Sequence, residues 1–132
     1  MKIILVDAIN SFVDKENGVF QEMYELLEKY SNRKIILTGA NKEQMKKNGL
    51  DKMPYEVFTL GHNPEKTDPQ YYETMLNNFG LEAKDVIYIE NNEDSVKSAQ
   101  AVGINTYHYD KNEKDLIALF FLLILIVLLL PY

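Results

Sequence analysis

Three short runs constrain this chain most: Ile3-Ile-Leu-Val6, Ile35-Ile-Leu37 and Val86-Ile-Tyr-Ile89. Each is continuously apolar and lacks helical spacing. Such runs read as strands covered on both faces, as in a parallel sheet; a strand with one wet face would alternate. Between them the spacing becomes helical. Phe20, Met23, Tyr24, Leu26, Leu27 and Tyr30 share one face of a helix over residues 20–30. Tyr72, Met75, Leu76 and Phe79 share another, bounded by the cap pair Asp68-Pro69 and by Gly80. Asn41 can cap a short polar helix ended by Gly49. Glu56–Leu60 and Ile104–Tyr109 add strands, one helix is predicted from about Asp94 to Val102, and a last one starts near Asn112. Asn17-Gly18 between apolar pairs marks a hairpin. The alternation predicts βαβ units and an α/β fold, a Rossmann-like three-layer sandwich with a central parallel sheet.

In open sheets of this kind ligands bind outside the carboxyl ends of the strands. Four polar positions fall there: Asp7, Thr38, Lys66 in the loop after the third strand, and Glu90 to Asp94 after the fourth. A carboxylate can attack phosphorus and form an acyl phosphate. A hydroxyl and an ammonium can hold phosphoryl oxygens. Acids facing each other across the site can hold Mg²⁺ through oxygen. Each residue alone has a plainer reading. Asp7 can cap a turn, Thr38 can end a strand, Lys66 can be solvated, and Glu90 and Asp94 can be acids favoured by a helix N-terminus. His62 lies near the expected site, on the loop after the third strand, but reads as a solvated loop residue; His108 reads as a structural one.

The four positions in order resemble the haloacid dehalogenase (HAD) superfamily of hydrolases, most of them Mg²⁺-dependent phosphatases. The likeness covers residues 2 to about 117. It rests on KIILVD with Asp7 at the nucleophile position, KIILT with Thr38 at the phosphoryl-binding position, Lys66 in EKTDP, and VIYIENNEDSVKSAQAVGI with its acids. The resemblance implies catalytic roles for Asp7, Thr38 and Lys66. It implies a metal site from Asp7, the backbone carbonyl of Ile9, Glu90 and Asp94. It also places the first strand at the centre of the sheet. Family phosphatases carry a second Asp two residues after the nucleophile as general acid/base; here that residue is Ile9. Two readings follow, a phosphatase working through an aspartyl phosphate, or a degenerate domain that binds a phosphorylated ligand or a protein partner without turnover. A 2-haloacid dehalogenase is a distant third. The intervals from Asp7 to Thr38 and from Thr38 to Lys66 have no room for a cap domain, so the site is expected to be open and to accept phosphorylated substrates up to macromolecular size.

With a formal net charge of −6 the chain gives no nucleic-acid signal, and with no cysteine it has no disulfide or thiolate chemistry. Lys2 is followed by only four apolar residues before Asp7, which is no signal peptide, so a cytoplasmic location is expected. The core is expected over residues 1–115 and an apolar tail over 116–132. From Leu116 to Leu130 no residue is charged. As a helix that run spans about 22 Å, short of the ~30 Å of a bilayer core. It reads as the end of a core helix, as a short membrane anchor, or as an oligomer interface or reading-frame artefact.

Overall fold

A computed structural model of the protein describes residues 2–125. Five strands form the main sheet: β1 (Ile3–Asp7), β4 (Lys34–Thr38), β5 (Glu56–Thr59), β6 (Val86–Glu90) and β7 (Asn105–His108). Their order is β5-β4-β1-β6-β7 and every pairing is parallel. The first strand is therefore central, as the resemblance implied. A separate hairpin joins β2 (Val13–Asp14) to β3 (Gly18–Val19), antiparallel around Asn17-Gly18. Among the described residues this hairpin is all that stands between β1 and the first helix; no domain is inserted there.

The continuous apolar runs follow from burial on both sheet faces. Ile4, Val6, Ile36, Ile87 and Ile89 point to one layer, with α1 (Gln21–Glu28) and α5 (Leu116–Leu123) packed on it. Leu5, Ile35, Leu37, Val86 and Tyr88 point to the other, beneath α3 (Pro69–Phe79) and α4 (Glu93–Ala101). Neighbours along a strand face opposite ways, so a strand sandwiched between two helical layers has no position left for a polar side chain. In β1, β4 and β6 charged side chains occur only at the strand ends, and that is where the site lies.

Local chemistry sets the helix bounds. The short helix α2 (Lys42–Lys47) opens with a capping box: Asn41 Oδ1 accepts the Gln44 N–H, and Gln44 Oε1 accepts the Asn41 N–H at 3.0 Å. Asp68 caps α3 with Pro69 at its first position, as predicted. The last helix starts later than the sequence suggested. Asp110 Oδ1 accepts the backbone N–H groups of Asn112 and Glu113, which closes a turn, and Lys114 takes a left-handed φ of 50°. Asp115 then caps α5 by accepting the Ala118 N–H. Leu119 and Leu123 enter the core beside Met23, Leu26 and Leu27 of α1, and the Tyr30 hydroxyl donates to Phe120 O at 3.1 Å. Ile117 and Phe121 face outward, 72% and 64% exposed. Among the described residues no helix is long and apolar enough to cross a membrane. The remainder of the apolar run, 126–130, lies outside the described residues.

Candidate active site

Adjacent strands β1 and β6 both end in a buried carboxylate. Asp7 is 5% exposed and Glu90 1%. Each would be costly to bury alone; an isolated ion in a low-dielectric setting is driven to neutralise. Here both face one ammonium. Lys66 Nζ donates to Asp7 Oδ1 and lies 2.7 Å from Glu90 Oε1. Further donors complete the set. Ser11 Oγ donates to Asp7 Oδ2 at 3.2 Å, the Tyr88 hydroxyl to Glu90 Oε1 at 2.5 Å, and the Asn92 N–H to Glu90 Oε2 at 2.9 Å.

Two carboxylates against one ammonium leave one negative charge unbalanced. The titrations reflect this. Burial pushes Asp7 up to about 7; Lys66 pulls it down and the Glu90 charge pushes it up again. Burial acts the same way on Glu90, but Lys66 and the hydrogen bonds it accepts outweigh that and hold it below the usual range. Burial alone would lower Lys66, yet the two carboxylates hold it well above an ordinary lysine. The resting cluster is one lysine cation, one carboxylate at Glu90, and a proton retained on Asp7 towards neutrality.

Thr38 ends β4 on the same cleft. Its Oγ1 accepts the Ala40 N–H at 3.2 Å, which leaves the hydroxyl proton free to donate outward. The buried Tyr71 hydroxyl of α3 donates to Thr38 O at 2.8 Å and fixes that strand end. The Lys66 loop is held from α4, where Ser98 Oγ donates to Thr67 O at 2.6 Å. The cleft so formed is open and about 360 Å³ in volume. Asp7, Ile9, Thr38, Lys66 and Glu90 all line it.

Asp94 is not brought there. It is exposed in the first turn of α4, outside the cleft. Asn92 caps that helix by accepting the Ser95 N–H, so the helix phase carries Ser95, buried, to the cleft instead. Spacing of i, i+4 joins two residues on one helix face, but Glu90 belongs to a strand and the helix begins at Glu93.

The rim holds residues that sequence reasoning did not select. Lys15 reaches the cleft from the β2–β3 turn. His62, with a left-handed φ of 67°, stands over Gly39. Its Nδ1 is 2.9 Å from Glu65 Oε1, and its Nε2 is 2.5 Å from Gln44 Oε1. The sequence places His62 on the loop after the third strand but assigns it no role; the structure holds it between Glu65 and Gln44. His108 lies away from this cleft, where its Nε2 donates to Asn91 O at 3.0 Å.

A family model described as "Haloacid dehalogenase-like hydrolase" matches residues 2–108. No curated protein matches the chain. Several solved structures share its fold. One is an aspartate-to-alanine mutant of a HAD family enzyme from Bacteroides thetaiotaomicron, in complex with magnesium and inorganic phosphate. It is 13% identical over 84% of this chain and 95% of its own, with a TM-score of 0.64. A HAD-superfamily hydrolase of subfamily IA from Geobacter sulfurreducens is 12% identical over 83% of this chain and 87% of its own, with a TM-score of 0.61. The core domain of a phosphoglycolate phosphatase candidate from Streptococcus pneumoniae is 18% identical over 83% of this chain and 80% of its own, with a TM-score of 0.56. At these identities the likeness is one of fold.

Proposed function

The chain belongs to the haloacid dehalogenase-like hydrolases, and on that premise we propose that it hydrolyses phosphoric monoesters, with Mg²⁺, through an aspartyl phosphate on Asp7. The observation that carries this reading is the shared ammonium: Asp7 and Glu90, on neighbouring strands, meet at Lys66 in one cleft with Thr38. Asp7 forms the bond to phosphorus. Lys66 and the free Thr38 proton hold phosphoryl oxygens, in the way preorganised donors stabilise charge that develops in a transition state.

The donor set fits Mg²⁺ of a particular kind. Among the described residues no three Asp, Glu, His or Cys side chains converge into a closed metal cage. Two hard carboxylates at Asp7 and Glu90 do face the cleft, and among the described residues no backbone hydrogen bond ends on the carbonyl oxygen of Ile9. That set suits an ion held jointly by protein carboxylates and a phosphate, which is the usual habit of Mg²⁺. When bound, the ion would neutralise phosphoryl charge and the unbalanced negative charge of the cluster. Asp94 has no part in this. The cleft is open, and large phosphorylated substrates belong to the proposal.

Phosphate release from a panel of phosphoesters, with Asp7→Asn as control, tests the reading; equal rates from the two proteins sink it. One observation favours a second reading, binding without turnover: Ile9, with no ionisable side chain, lines the cleft where family phosphatases carry an acid. On that reading the unaltered protein binds a phosphoester without hydrolysing it, and Ile9→Asp gains activity by the ~10²–10⁴-fold that a general acid contributes.

A further inference from the structure

With Ile9 in place of an acid, an alkoxide leaving group has no proton source in the first loop. The cleft offers another. We propose that His62 is the general acid/base of this site, oriented by Glu65, in place of the group missing at position 9. This rests on the phosphatase reading above.

The hydrogen-bond pattern around the ring supports the assignment. Gln44 Oε1 accepts the Asn41 N–H as half of the capping box, which fixes which end of the amide faces His62. The ring nitrogen 2.5 Å from that oxygen must therefore be a donor, so Nε2 carries a hydrogen. The other nitrogen, Nδ1, lies 2.9 Å from the Glu65 carboxylate. Both nitrogens thus face oxygen acceptors, and both are satisfied when the ring carries two N–H groups. A carboxylate behind one nitrogen and a proton presented at the other is the geometry of an oriented acid. Its location suits the task. A Cβ built on Gly39 would lie 3.6 Å from His62 Nδ1, so the ring stands beside the residue that follows Thr38, the phosphoryl-holding hydroxyl. His62 and Asp7 line the same cleft. Gln44 Oε1 occupies, at rest, the position of an accepting oxygen. A leaving-group oxygen that replaces it receives the proton. The charged groups sharing the cleft with the ring are Asp7, Glu90, Lys66, Lys15 and Glu65, the last of these in contact with it.

In the first half-reaction Asp7, its resting proton given up to solvent, forms a bond to phosphorus through its carboxylate while the bond from phosphorus to the leaving oxygen breaks. The electron pair goes to that oxygen, which takes the proton from His62 Nε2. In the second half-reaction a water attacks the phosphorus of the aspartyl phosphate and gives its proton to Nε2. The Asp7 carboxylate is released, and His62 is protonated again.

The experiment sets a good leaving group against a poor one, in Mg²⁺. p-Nitrophenyl phosphate expels a phenolate that needs no proton; glycerol 2-phosphate expels an alkoxide that does. In single-turnover measurements of leaving-group release, His62→Gln is expected to change p-nitrophenolate release little beside a ~10²–10⁴-fold loss of glycerol release, and to slow breakdown of the aspartyl phosphate from either ester. Glu65→Gln is expected to lower glycerol phosphate hydrolysis selectively and by less. Ile9→Asp placed in the His62→Gln background is expected to restore it. Equal losses of leaving-group release from both substrates, or none from either, overturn the assignment and leave His62 as a bridge between loops. The two failures are separable. If Asp7→Asn abolishes hydrolysis but His62→Gln does not discriminate, the acid assignment alone is wrong. If the unaltered protein hydrolyses neither ester, the phosphatase reading fails and the assignment falls with it.

Discussion

At the floor of the cleft, Asp7 and Glu90 are almost wholly buried and share Lys66. At the rim, the His62 and Glu65 side chains meet while 39% and 57% exposed. Both are charge clusters within one cleft, yet their energetics differ. On the floor the groups are largely desolvated, the effective dielectric is low, and each depends on the others for its protonation state. At the rim water screens the pair, and its net contribution to stability is about 0–1 kcal/mol. The floor is therefore constrained by folding as well as by chemistry. The rim is free to be set by the substrate.

The strongest way to break this contrast is Lys66→Met. It leaves two buried carboxylates without their cation, so phosphate release is expected to fall by more than about a thousandfold, with about 3–5 kcal/mol of stability lost at neutral pH. Denaturation at several pH values checks it: the stability loss must shrink in acid, where the carboxylates protonate. A loss independent of pH would show that the floor is not electrostatically coupled.

The pH profile of the metal-free protein gives the next effect. Asp7 titrates at about 7 in the folded chain against an ordinary 3.8. Between those values the folded state keeps a proton that the unfolded state has released. The stability it contributes is full below about pH 4 and is lost as pH rises through 7. Glu90 runs the other way, its contribution present at neutral pH and lost only as pH falls. Asp7→Asn is neutral at every pH, so the decline between pH 4 and 7 should disappear in that variant. The difference is on the order of a few kcal/mol, because each tenfold change in proton affinity is worth about 1.4 kcal/mol. Parallel curves for the two proteins would contradict the protonated cluster.

Tyr88→Phe is smaller. It deletes the hydroxyl that donates to Glu90 Oε1 and leaves a buried acceptor one donor short, for about 1–3 kcal/mol in urea unfolding. Lys15→Ala tests the rim and should be smallest. Stability should stay within about 0.5 kcal/mol, while KM for an anionic substrate rises several-fold at low salt and less at high salt. A rim variant that unfolded the protein would erase the distinction between the two regions.

Much of the floor was legible because burial on both faces leaves a clear mark. Runs such as Ile3–Val6 admit few folds, and a carboxylate that ends one of them has one plausible edge to occupy. Asp7, Thr38, Lys66 and Glu90 all line the cleft. Asp94 came in with the family resemblance; here it is exposed in the first turn of α4, outside the cleft, because the helix phase after the Asn92 cap turns Ser95 inward instead. The rim was hidden for a different reason. His62 reaches the cleft through a left-handed backbone that a histidine does not announce. Lys15 arrives on a turn whose direction depends on the hairpin as a whole. The start of α5 was displaced by Asp110, whose side chain competes for the N–H groups that a helix begun at Asn112 would have used.

The central position of β1 also has a consequence for synthesis. Of the five strands of the sheet, the one that carries Asp7 is made first, and it pairs on one side with β4 and on the other with β6. Its partner β4 follows early, but β6 begins only at Val86. Until then a flat apolar edge, Ile-Ile-Leu-Val, stands unpaired. Such edges invite pairing with other chains, and contacts distant in sequence form slowly. The sheet therefore closes from its centre only when most of the chain has been made. The nascent protein passes through a stage in which one edge of the strand that carries Asp7 is open to pairing with other chains.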